Sequence, residues 1–261
     1  MRTLCVTSGK GGVGKTTLSV NLGIAMARAG RRVLLLDGDL GLANLNVMLG
    51  VIPRFTIQDV VRGQKTLDQI VIQTSYGISL AAGATGIAEL ADLGEEEREN
   101  VIRGLEGLRG YDVLIIDTGA GIGDNVVRFV LAADDVLIVT TPHPTALTDA
   151  YGIIKTVLTH ESRAIKLIVN SVTSIRDARS AADRLTGVTS KFLNGTLECI
   201  GYIPFDSLVE KSIMKQQPHL VLHPTSTSAQ RMQEAAMRLI GGQVADSKPG
   251  LGRFLQKLLG Q

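Results

Sequence analysis

Apolar residues gather along this chain into short, nearly unbroken runs at Thr3–Ser8, Arg32–Asp37, Ile78–Ala82, Asp112–Asp117, Asp135–Thr140, Lys166–Asn170 and Leu197–Ile203. A strand with one wet face alternates apolar and polar residues, so runs without alternation predict strands buried on both faces. Longer stretches with helical spacing lie between them, at Thr17–Ala29, Glu95–Leu108, Asn125–Ala132, Thr145–Thr159, Ile175–Leu193, Ser207–Lys215 and Ser226–Ile240. The alternation predicts an α/β fold, a single doubly wound and mostly parallel sheet flanked by helices, over residues 1–240. Residues 241–250 contain glycine and proline and read as a linker, with a separate terminal helix over 251–261.

Of the 261 residues 44% are apolar, but Trp is absent and aromatics make only 3%, so the core must be aliphatic and Ala-rich. A net charge of +2 gives no global attraction to nucleic acid or membrane, and any such attraction must come from a local patch. Cys5 and Cys199 sit singly inside apolar runs without a C-x-x-C partner. They read as reduced, buried thiols and argue against a cysteine-held cluster. No apolar run approaches the ~18 residues of a membrane span. The stretch after Arg2 runs straight into a glycine-rich loop, so no signal peptide is expected. The expected location is the cytoplasm, peripheral to the inner face of the cell membrane.

In doubly wound sheets, ligands bind beyond the carboxyl ends of the strands, so the residues there carry the chemistry. The first strand leads into Gly9-Lys10-Gly11-Gly12-Val13-Gly14-Lys15-Thr16-Thr17, which fits G-x-x-x-x-G-K-[ST]. Its glycines let the backbone amides from Gly11 to Thr17 curl around phosphate oxygens without Cβ clashes. Lys15 would neutralise the β- and γ-phosphates and Thr16 would ligate Mg²⁺, with the phosphates on a helix N-terminus. The next strand ends in Asp37-Gly38-Asp39. Carboxylates so spaced can act on different objects, one in the metal shell, with Asp37 able to do so through water, and one on an attacking water. A helix N-cap is the other use of an acid at that place. The run Asp112–Asp117 closes on Asp117 and then Gly119, Gly121 and Gly123. This is the arrangement in which an acid holds Mg²⁺ through water and glycines move when a phosphate leaves.

With lysine directly after its first glycine, the loop resembles the deviant Walker A family of MinD, ParA and the flagellar regulators FlhG/FleN. The stretches Asp37–Asn44, Phe55–Val60, Asp117–Ile122 and Thr141–Ala150 look most like the FlhG/FleN subgroup. The resemblance implies binding of ATP/ADP with Mg²⁺, a homodimer closed by ATP, and slow, dimerisation-dependent hydrolysis. In it, Lys10 reaches the partner's phosphates and Asp39 orients the hydrolytic water, while Asn170, Pro204, Phe205 and Asp206 line the adenine pocket. Where relatives carry arginine after that asparagine, this chain has Ser171. The implied function is a switch that controls the placement or number of a cell structure, flagella first, by nucleotide-gated binding to membrane and a regulatory protein. That partner is a flagellar, transcriptional or division factor. The alternatives are a MinD-type division-site regulator, a ParA-type DNA- or cargo-positioning ATPase, and a nucleotide-gated regulator of a transcription factor with incidental hydrolysis. Against DNA, the basic set Arg176, Arg179, Arg184 and Lys191 is interrupted by Asp177 and Asp183. Flagellar members commonly carry an N-terminal extension that engages a partner GTPase. Here the first strand starts near Met1, so stimulation through such a segment is not expected.

At 100° per residue, Leu251, Phe254, Leu255, Leu258 and Leu259 span ~140° of a helix, with Arg253 and Lys257 opposite. Such a helix either lies in a bilayer surface or packs in a groove on its own domain or a partner, and nucleotide could move it from one to the other. Partial burial of these side chains supplies ~4–7 kcal/mol, and each basic residue at most ~1 kcal/mol on anionic lipid. One copy therefore binds weakly, and two copies on a dimer bind stably.

Overall fold

The computed structural model describes residues 1–39, 44–82, 110–193, 195–241 and 251–258. Its strands are β1 (Arg2–Ser8), β2 (Val33–Gly38), β3 (Val71–Gln73), β4 (Ser79–Ala81), β5 (Val113–Ala120), β6 (Asp135–Thr140), β7 (Ala164–Val172) and β8 (Thr196–Pro204). They form one sheet in the order β3-β4-β2-β5-β1-β6-β7-β8. Every neighbouring pair is parallel except β3 with β4.

The unbroken apolar runs arise because successive side chains point to opposite faces and both faces are covered. Leu34 and Leu36 of β2, with Leu114 and Ile116 of β5, face the side of the sheet that is covered across its width by helices Asp124–Ala132, Pro144–His160 and Ile175–Phe192. Val33 and Leu35, with Val113 and Ile115, face the other side, where helix Lys15–Arg28 packs on β2 and β5 and helix Thr227–Gly241 covers β8. All eight of these side chains are under a tenth exposed.

Strand β3 was not expected. Its three residues are too few to display a period, and it closes the sheet as an antiparallel edge against β4. Short helices at Asn44–Leu49, Ile57–Val61, Leu67–Ile70 and His219–Leu222 were also missed. Two of them begin with capping boxes, Thr56 with Asp59 and Thr66 with Gln69, a signal that was present in the sequence. The expected helix Glu95–Leu108 and the linker after Gly241 lie outside the described residues.

The strand order sets the site. From β1 the chain crosses over β5 to reach β2, and from β5 it later crosses over β1 to reach β6. A crevice opens at such a reversal, outside the carboxyl ends of the central strands.

The terminal helix spans Leu251–Leu258 and packs on helix Asp124–Ala132. Phe254 is 2% exposed and Leu258 is 5% exposed, and both belong to the core. The Phe254 ring stacks on Phe129 with centroids 6.5 Å apart. In this conformation these two residues take up the packed alternative, seated in a groove on the chain's own domain, where burying Phe254 removes a large ring from water. The side chains of Leu251 and Leu255, and all of Leu259, lie outside the described residues.

Candidate nucleotide site

The glycine-rich loop bridges β1 and helix Lys15–Arg28 in conformations that need glycine. Gly12 has φ 76° and Gly14, the residue capping the helix, has φ 93°. Space imposes the same requirement on Gly9. A Cβ there would lie 2.0 Å from the Asp149 carbonyl oxygen, so helix Pro144–His160 presses directly on the loop. Asn170, near the end of β7, donates to the Val13 carbonyl at 2.8 Å and fixes the loop from the other side.

These elements enclose a cleft of about 480 Å³. Lys10, Gly11, Gly12, Val13, Gly14 and Thr17 line it on the loop side, and Asn170, Pro204, Phe205 and Asp206 on the other. The volume and the exposed backbone suit a nucleotide, with phosphates at the helix N-terminus. Lys10 is exposed, and its Nζ donates to Thr145 Oγ1 at 2.7 Å across the cleft mouth.

Beyond the loop lies an acidic cluster. Asp37 and Asp117 are register partners on β2 and β5, and each is 1% exposed. Ser19 donates to Asp117 Oδ1 at 2.8 Å, and the Thr16 hydroxyl also bonds the carboxylate, with Lys15 nearby. Burial outweighs these partners and pushes Asp117 up to about 6. Burial also pushes Asp37 up to about 7, with the Asp117 charge adding to the effect, although Leu45 N and Asp39 N donate to its two oxygens. Buried acids raised in this way gain from a divalent cation, so Thr16 and Asp117, with Asp37 through water, fit a magnesium ion. Asp39 borders Gly119, whose added Cβ would stand 3.6 Å from Asp39 Oδ1. The carboxylate thus sits against the glycine-rich segment that follows Asp117.

Two expectations change in detail. Strand β5 does not stop at Asp117 but runs on to Ala120, so the acid is held inside the sheet. Gly121, at φ 97°, then returns its N–H to the Ser8 carbonyl at 2.8 Å, tying this segment to the loop. Asp206, expected at the base, lines the cleft but has both oxygens engaged. Oδ1 caps helix Ser207–Met214 through Leu208 N at 2.9 Å, and Oδ2 accepts from Ser228 at 2.6 Å. A cap of this kind is what an acid just before a helix commonly provides.

Sequence reasoning missed Ser19, Thr145, Val209 and Glu210. Ser19 lies three residues after Thr16, and that helical spacing could have placed it beside Asp117. Ser171 lines the cleft at φ 56°, a left-handed backbone that no sequence pattern announced. Val209 and Glu210 line it because helix Ser207–Met214 turns toward the loop.

Comparison with known proteins agrees with this geometry. The family model described as ParA, NUBPL iron-transfer P-loop NTPase, matches residues 1–240. Antiactivator FleN of Pseudomonas aeruginosa is 38% identical over 92% of this chain and 86% of its own length. The flagellum site-determining protein YlxH of Helicobacter pylori is 33% identical over 98% of this chain and 89% of its own. Among solved structures, the septum site-determining protein MinD of Pyrococcus horikoshii, complexed with Mg-ADP, superposes with a TM-score of 0.74. It is 26% identical and covers 92% of this chain and 97% of its own. On a phosphate loop backed by paired buried acids, at the switch point of a parallel sheet, and on these likenesses, the chain belongs to the ParA/MinD family of P-loop NTPases.

Proposed function

We propose that this protein is an ATP-dependent switch of the MinD/FlhG type that regulates flagellar number or placement through nucleotide-gated binding to membrane and to a regulatory protein. The names of its relatives support the role: one is an antiactivator, which acts against an activator protein, and the other determines a flagellar site. The relative solved with Mg-ADP supports magnesium and an adenine nucleotide as the ligands here.

In the proposed cycle, ATP binds on the loop with Lys15 at the phosphates; Thr16 and Asp117 would hold a magnesium ion, which would supply charge neutralisation there. Lys10 sits exposed at the cleft mouth, where its ammonium can leave Thr145 and reach the phosphates of a second copy. Asp39, against Gly119, orients the water that attacks. Slow turnover then follows assembly, because a site missing a cation supplied in trans stabilises its transition state poorly.

The observation that carries the switch is the seat of the terminal helix. Helix Asp124–Ala132 starts at Gly123, directly after the glycines that follow Asp117, and carries Phe129 against Phe254. Its carboxyl end is held by cations: Arg163 donates to the Val130, Ala133 and Asp134 carbonyls, and Lys257 of the terminal helix donates to Leu131 O at 3.4 Å and Glu161 at 3.0 Å. A shift of the glycine segment on nucleotide binding moves this helix and loosens its cover. Two released helices on a dimer then find the membrane, although among the described residues no helix is long and apolar enough to cross one. DNA is not the target in this reading, since Asp183 stays among the exposed Arg176, Arg179 and Arg184.

Sedimentation with anionic liposomes tests the proposal, with ADP or ATP and with or without residues 250–261. An ATP-dependent shift that truncation abolishes supports it, and equal binding in ADP and ATP sinks it.

A further inference from the structure

Behind the cleft lies a buried histidine that the proposed hydrolysis does not use. His219 is 1% exposed, and both ring nitrogens have partners. Nε2 is 2.7 Å from Ser228 Oγ and 2.9 Å from Ser226 Oγ, and Nδ1 is 3.3 Å from Ser212 Oγ. Two of these serines have their protons committed elsewhere, Ser228 to Asp206 at 2.6 Å and Ser212 to the Leu208 carbonyl at 2.7 Å. A neutral ring carries the link when Nε2–H donates to Ser228 Oγ, whose own proton goes to Asp206, while Ser226 donates to Ser228 and Nδ1 faces the Ser212 hydroxyl. Burial, with His223 adding to it, lowers the ring's pKa against the pull of Asp206 and favours that neutral form.

The same short segment grips the phosphate side. Leu220 N, the amide next to His219, donates to Asn21 Oδ1 at 2.7 Å. Asn21 Nδ2 in turn donates to the Thr17 carbonyl at 2.7 Å, in the first turn after the phosphate loop. Polar contacts, joined through the His219–Leu220 backbone, therefore run from Asp206 at one wall of the cleft, through Ser228 and His219, to Asn21 and Thr17 at the other. Buried polar networks fix geometry in this way.

We infer that His219 is a positioning residue for the nucleotide: through Ser228 it holds Asp206 and helix Ser207–Met214 at a set distance from the phosphate loop, and so fixes the wall against which the base and ribose rest. The inference rests on the nucleotide reading above, but it concerns one end of the ligand only. The loop is built by its own glycines, by Asn170 and by helix Pro144–His160, none of which touches His219. Loss of the histidine should therefore weaken ligands that have a base and spare those that are phosphate alone.

The test measures ADP and inorganic triphosphate, each with magnesium, in competition against a fluorescent ADP analogue. The proteins are the full chain and its His219→Leu, His219→Gln and Ser228→Ala variants. His219→Leu and Ser228→Ala should weaken ADP about tenfold, the scale of a lost hydrogen bond to a charged group, with triphosphate changed by less than about twofold. His219→Gln, whose amide nitrogen can stand in for Nε2, should recover most of the ADP affinity. Parallel losses for ADP and triphosphate would mark a merely structural residue and overturn the inference, as would unchanged ADP binding. Should His219→Leu not fold, Ser228→Ala decides, because it keeps the ring and cuts only its link to Asp206. A wild-type chain that binds triphosphate but gains nothing from the base also overturns it, whereas one that binds neither ligand overturns the nucleotide reading itself.

Discussion

Asp37 and Asp117 stand side by side in register on adjacent parallel strands, deep under the phosphate loop. Burial raises Asp37 to about 7 and Asp117 to about 6, from an ordinary 3.8. An acid whose folded value lies above its unfolded one holds its proton better when folded, so its contribution to stability is lost as pH rises through that window. The nucleotide-free protein should therefore melt at a lower temperature at about pH 8 than at about pH 5, and Mg·ADP should remove most of that slope. Asp37→Asn should flatten it. A melting temperature that rises with pH in the free protein would contradict the account.

Lys15 and Asp39 separate binding from chemistry. Lys15→Ala removes the charge at the phosphates and should weaken ATP by at least about tenfold. With ATP weakened, dimerisation and vesicle binding go too. Asp39→Ala keeps the loop and the metal ligands, so ATP-driven dimers should persist and even accumulate, while turnover falls about a hundredfold or more. Light scattering read alongside phosphate release checks both variants. Normal ATP-dependent dimers in Lys15→Ala would refute the mechanism.

Contact, rather than backbone angle, sets the requirement at Gly9. An added methyl meets the Asp149 carbonyl at 2.0 Å, and a backbone oxygen inside a helix cannot give way. Gly9→Ala should cost about 1–3 kcal/mol in urea unfolding and shift helix Pro144–His160 outward. Gly11→Ala makes a matched control, since a Cβ at Gly11 meets nothing within 4 Å.

What could be read from the sequence follows from how local each signal is. The apolar run at Asp135–Thr140 matches its strand residue for residue, since burial on both faces writes itself into consecutive positions. The phosphate loop, Thr16 and Asp117 were equally legible, because the chemistry is encoded in a contiguous stretch and one strand end. The role of Asp206 was not. Its carboxylate is taken up by Leu208 two residues on and by Ser228 twenty-two residues on, and only the first of these partners is local enough to read from the sequence. His219 was silent for the same reason: its partners Ser212, Ser226 and Ser228 come from two separate segments on either side of it. The terminal helix was legible as amphipathic, but an apolar stripe looks the same whether lipid or Phe129 covers it.

Phe129 and Phe254 form one aromatic contact, yet they should have opposite effects on membrane binding. Phe254 belongs to the helix that would enter the bilayer, so Phe254→Ala removes apolar area from both the docked and the membrane-bound states. Phe129 belongs only to the seat. Phe129→Ala leaves the membrane-seeking surface intact and weakens the docked state alone, by up to the ~3–5 kcal/mol typical of a buried Phe truncation. A population shift of that sign exposes the helix without ATP. Liposome sedimentation in ADP should then rise for Phe129→Ala and fall or stay flat for Phe254→Ala. If Phe129→Ala and Phe254→Ala changed membrane binding in the same direction, the terminal helix would be a fixed part of the core and not a gated anchor.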